Sequence, residues 1–80
     1  MSMGMKTFVD VFIPADGEKC SVIVQRLLEM GLNPALGVHD FVYEWDDPIP
    51  TISQVCEMVD AAQERLSGTG AVLRFTSERD

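Results

Sequence analysis

Midway along this 80-residue chain the hydrophobic pattern changes phase, and that change limits what the chain can fold into. In Ala35-Leu36-Gly37-Val38-His39-Asp40-Phe41-Val42-Tyr43-Glu44-Trp45 the apolar residues Leu36 and Val38 are even-numbered. Phe41, Tyr43 and Trp45 are odd-numbered. Side chains alternate faces along a strand, so a one-residue shift would send the two halves of a continuous strand to opposite sides. Either a bulge or a tight reversal at His39-Asp40 resolves the conflict. A bulge leaves one long bent strand, whereas a reversal makes a hairpin. The reversal is the preferred expectation, although neither residue is the glycine that a two-residue turn favours.

The flanking segments read more simply. Thr7 to Ile13 is a predicted strand, rich in β-formers and interrupted only by Asp10. Val9, Val11 and Ile13 share one face; Phe8, Asp10 and Phe12 share the other; Pro14 ends it. Asp16 is placed to cap a helix whose apolar stripe is Cys20, Ile23, Val24, Leu27 and Leu28. Gly31 suits a left-handed C-terminal cap, Leu32 a Schellman contact, and Asn33-Pro34 forbids continuation. Asp46-Asp47-Pro48-Ile49-Pro50 is a turn-rich connector. Thr51-Ile52-Ser53-Gln54 is a capping box that opens a second helix, expected to bury Ile52, Val55, Val59, Ala62 and Leu66. Gly68 and Gly70 stop that helix. Ala71 to Thr76 is a closing strand, and Ser77 to Asp80 is expected to fray.

With a reversal, the expected fold is an α/β (α+β) two-layer sandwich. Its order is a ferredoxin-like βαββαβ, with two helices on one face of a small sheet. Residues 1–80 form one expected domain, with Met1 to Met5 a disordered lead-in. The core of so short a chain is thin, which favours a homo-oligomer or a protein partner.

Charge and composition exclude several classes of function. The net charge is −7, and the six basic residues Lys6, Lys19, Arg26, Arg65, Arg74 and Arg79 are scattered. Phosphate backbones are bound by clusters of such residues, so no nucleic-acid partner and no anionic membrane is expected. No apolar run reaches bilayer length, and no secretory signal is expected. Cys20 and Cys56 make no disulfide framework and lack ligand-spaced neighbours. They read as small buried or half-buried residues of a cytoplasmic protein.

Few residues suggest chemistry. His39-Asp40 is the one His–carboxylate neighbour pair, but adjacent side chains of an extended chain point apart. Together with Glu44, Asp46 and Asp47 it forms an acidic segment with the oxygen ligands hard cations take, without the spacing of an EF-hand. Asp10 inside a strand must be exposed or paired. Phe8 and Phe12 face away from the helices if Val9 and Val11 face toward them, which marks a candidate interface. No nucleophile elbow, Walker loop or Cys-x-x-Cys is present. No cofactor is expected.

The first half of the chain resembles an ACT-like regulatory domain. The resemblance rests on the strand Thr7–Ile13, the Asp16-Gly17 loop, and the helix Val22-Ile23-Val24-Gln25-Arg26-Leu27-Leu28-Glu29-Met30-Gly31-Leu32-Asn33, with its Leu-x-x-x-Gly-Leu-Asn ending. It implies a ferredoxin-like fold, self-association, and a small ligand such as an amino acid at the first strand–helix loop, which nominates Asp16 and Gly17. The resulting expectation is a small non-catalytic binding or regulatory module that self-associates or docks a protein. The alternative is a metal-dependent protein or enzyme using His39, Asp40, Glu44, Asp46 and Asp47.

Overall fold

The computed structural model describes residues 4–46 and 48–79. Among these, β1 (Met5–Phe12), α1 (Cys20–Glu29), β2 (Asn33–Pro34), β3 (Phe41–Trp45), α2 (Ile52–Arg65) and β4 (Val72–Arg79) follow in chain order. The strands form one antiparallel sheet in the order β2-β3-β1-β4. This small α+β arrangement is compatible with a two-layer sandwich.

The register assigns every sheet residue to a face. Val9 lies between Phe41 and Phe75, and Thr7 between Tyr43 and Ser77. These odd-numbered residues face the helices. Val9 and Phe41 join Ile23 and Leu27 of α1, Leu32, and Leu66 in the buried core, with Leu73, Phe75 and Tyr43 packed around it. Each fully buried aliphatic side chain contributes about 1.5–3 kcal/mol relative to leaving it in water. Thr7, also fully buried, accepts from the Trp45 Nε1–H at 2.9 Å and shares a 2.9 Å hydroxyl bond with Ser77. A polar group in this layer is therefore satisfied.

The end of α1 and the start of α2 form as their sequences dictate. Gly31 has φ +94°. The amides of Gly31 and Leu32 donate to Leu28 and Leu27 carbonyls at 3.0 and 3.4 Å, a Schellman closure, and Leu32 is buried. At the start of α2 the Thr51 hydroxyl accepts from the Gln54 amide at 3.2 Å, and the Gln54 side chain accepts from the Thr51 amide at 2.8 Å. Arg26 of α1 donates to the Arg65 carbonyl at 3.1 Å, joining α1 to the C-terminal end of α2.

Several local expectations are corrected. The N-cap of α1 is Lys19, without a side-chain cap bond, rather than Asp16. The loop is held instead by its backbone: the Glu18 amide donates to the Thr69 carbonyl at 2.9 Å. Met5 is no lead-in but the first residue of β1, paired with Trp45 and Arg79. For the same reason Ser77–Arg79 extend β4 rather than fray. Cys20 and Cys56 are both exposed free thiols. Ile52, in the first turn of α2, is 77% exposed rather than buried.

The phase break resolves as a hairpin, but its turn lies earlier than His39-Asp40. Gly37, at φ +89°, turns the chain within Leu36-Gly37-Val38. The Ala35 amide donates to the Asp40 carbonyl at 3.0 Å and closes the loop. Leu36 and Val38 are 98% and 91% exposed, so their even numbering reflected no strand face.

Candidate functional site

Residues on the open side of the sheet come together where β1 ends and β3 begins. Asp10 projects from this side of β1. The amide of Asp40, just ahead of β3, donates to the Asp10 carboxylate at 3.1 Å, and the His39 Nδ1 lies 3.1 Å from the same group. The Asp40 carboxylate in turn accepts from the Val11 amide at 2.9 Å. Two adjacent carboxylates thus clamp the hairpin to the central strand from both directions. The His39 ring lies flat on Phe8, with centroids 4.3 Å apart and 17° between planes.

Electrostatics follow from this packing. Partial burial opposes the charged form of Asp10. Hydrogen bonds from His39 and the Asp40 amide outweigh it together with the charges of His39 and Arg74, and hold the carboxyl below its ordinary value. Arg74 is the β4 residue directly opposite Asp10. The next charged row on this side is Glu44, Lys6 and Glu78, with Lys6 Nζ 3.8 Å from Glu44. The open side is therefore not a continuous apolar surface. Of the two expected interface aromatics, Phe8 is half-buried under His39, whereas Phe12 is 72% exposed beside Val72, itself 63% exposed.

On the helix side of the same sheet end lies a groove of about 270 Å³, walled mainly by Val11, Ile13, Ile23, Val24 and Phe41. Asp40 is its acidic wall residue, and Cys20 also lines it. Asp16 and Gly17 do not line it. Asp16 is exposed. A Cβ on Gly17 would sit 2.5 Å from the Thr69 carbonyl oxygen, so glycine at this position serves close backbone approach.

The acidic segment disperses. His39 turns to Asp10, Asp40 to the Val11 amide, and Glu44 to Lys6, while Asp46 is exposed. Asp47 lies outside the described residues. Among the described residues no three His, Cys, Asp or Glu side chains gather around one point suited to a metal ion, and no helix is long and apolar enough to cross a membrane. The pairing of Asp10 with His39 was only half legible in sequence. A carboxylate within a strand signalled either exposure or a partner, and the partner it has lies 29 residues away. No family model matches the chain, and neither a curated protein nor a solved structure matches it.

Proposed function

We propose that this chain is a small, non-catalytic binding or regulatory module of the cytoplasm, with ferredoxin-like topology, that self-associates or docks a protein partner. The β-α-β-β-α-β succession and the strand order β2-β3-β1-β4 support the topology. They are also what the ACT-like resemblance implies.

One observation carries the docking reading. Phe12, Val72, Leu36 and Val38 are 72, 63, 98 and 91% exposed, and all four lie at the sheet end where β1 finishes and the β2–β3 turn projects. Single exposed apolar residues are ordinary on a protein surface; several gathered at one end favour an interface. The clamp of Asp10 and Asp40 holds the turn at that end, so the surface is presented with little ordering cost. The acidic charge and dispersed carboxylates favour docking over catalysis.

The test is site-specific photo-crosslinking in cells, with a photoreactive residue at Phe12, at Val38, or at the equally exposed Ile52. A discrete adduct at Phe12 and Val38, absent at Ile52 and lost with Val72→Asp, is expected. The adduct mass separates a second copy from another protein. Equal labelling at all three positions, or none at any, removes the docking reading.

A further inference from the structure

We propose that a second copy of this chain pairs along the outer edge of β4, antiparallel, with Thr76 facing the partner's Thr76 across a two-fold axis. This uses a sheet edge rather than the apolar end, so either proposal can fail alone.

The two edges of the sheet are unlike. At one edge β2 has two residues, one of them Pro34. A short strand carrying proline blocks pairing. At the other edge β4 runs for eight residues without proline or glycine. Its register with β1 is unbroken from Met5–Arg79 to Phe12–Val72. Among the described residues no strand pairs with its outer side. A long edge without a bulge is a template for another strand.

Backbone direction restricts how that strand can sit. The Val11 amide points toward β3, and the Asp40 carbonyl points away from β1 toward Ala35. By alternation, the odd-numbered residues of β1 bond toward β3 and the even-numbered ones toward β4. Arg74, Thr76 and Glu78 lie opposite even-numbered residues of β1 and therefore bond inward. Leu73, Phe75, Ser77 and Arg79 turn their amides and carbonyls outward. An added antiparallel strand bonds to those four. The even-numbered side chains then meet in non-hydrogen-bonded pairs, where opposing Cα atoms are closest, about 4.5 Å apart.

Charge selects one register. With Thr76 on the axis, Arg74 faces the partner's Glu78, and Glu78 faces the partner's Arg74. Centring on Arg74 or Glu78 sets like charges face to face. Centring on Phe75 or Ser77 pairs neither with the other. The chosen register also continues the existing rows. Glu44, Lys6 and Glu78 already alternate in sign across one copy, as do Asp10 and Arg74. Joining at Thr76 produces Glu44, Lys6, Glu78, the partner's Arg74 and the partner's Asp10, alternating throughout. Opposite charges directly across strands stabilise pairing, and like charges oppose it.

Sedimentation of the full chain from micromolar to millimolar concentration is expected to show a reversible dimer. R74E alone and E78R alone each put like charges across the interface twice, and each is expected to weaken it by about tenfold or more. An equimolar mixture of the two is expected to recover dimer, because each R74E site then faces an E78R site on the partner. Changes within each chain are the same in both cases and cancel. Thr76→Cys, with Cys20→Ser and Cys56→Ser, is expected to form a symmetric disulfide on mild oxidation. Should a charge variant fail to fold, Ser77→Pro removes an outward amide while sparing the inward backbone bonds; it also gives up the Ser77 hydroxyl bond to Thr7, which keeps its bond from Trp45, and it is expected to leave a folded monomer. A chain that stays monomeric throughout overturns the proposal. So does a mixture no more dimeric than its components, a dimer that Thr76→Cys cannot link, or a dimer that survives Ser77→Pro.

Discussion

The two sides of β1 are held by different physics. On the helix side, Thr7 and Val9 are completely buried between Phe41, Tyr43, Phe75 and Ser77, with Val9 in the core beside Ile23 and Leu27. On the open side, Asp10 and Phe8 keep partial contact with water and are covered by residues of the β2–β3 loop, His39 and Asp40. The first side is stabilised by removal of apolar surface from water, which is insensitive to proton concentration. The second relies on a carboxylate that must stay ionised to accept its bonds. In one strand, then, alternate residues serve cohesion and the positioning of a hairpin.

The largest effect expected from this contrast is on the helix side. Leu27→Ala should cost about 2–5 kcal/mol in urea unfolding, because a fully buried leucine leaves a cavity that its surroundings only partly fill. A loss below about 1 kcal/mol would mean that α1 is not part of the cohesive layer. Next is the seam where the loop after β1 meets the Thr69 carbonyl. Gly17→Ala should cost about 1–3 kcal/mol, since backbone must move to admit the methyl group. An unchanged midpoint would break the close-approach reading of Gly17 and leave ligand binding as the reason for a glycine there.

Smaller effects are expected on the open side. Asp10→Asn should cost about 1 kcal/mol or less at neutral pH, as suits a partly exposed pair. Its signature is in the pH dependence. The folded carboxyl titrates below its ordinary value of 3.8, so its contribution is complete above that value. As pH falls below it toward the lower folded value, the unfolded chain takes up the proton first and the contribution disappears. The stability gap between the parent chain and Asp10→Asn should therefore close in that acid window. A gap that widened there would contradict the clamp. The least effect is expected for Phe12→Ser, within about 0.5 kcal/mol, because the side chain is already mostly in water. A larger loss would show that Phe12 supports the fold and is not held in reserve for a partner.

How far sequence foresaw the structure varies by element. The capping box Thr51–Gln54 and the Gly31–Leu32 closure are complete within six residues, and both form as written. The alternation around Asp10 correctly sent Val9 and Phe12 to opposite sides. Asp16 has the chemistry of a cap, but the loop is tied through the Glu18 amide to the distant Thr69 carbonyl and α1 begins after Lys19. Leu36 and Val38 misled because apolar residues two apart imitate a strand even when Gly37 turns the chain between them. Nothing local distinguished exposed Cys20 and Cys56 from buried ones, since either side of a helix edge accepts a cysteine.

Chain chemistry at short range settled where α1 ends, where α2 begins and which residues alternate along β1. Tertiary packing decided where the reversal falls, what covers Phe8, and which partner Asp10 receives from 29 residues away. The division has one physical cause. Caps and alternation depend on backbone geometry over a few residues, whereas pairing a carboxylate or covering a ring depends on which distant strand registers beside it.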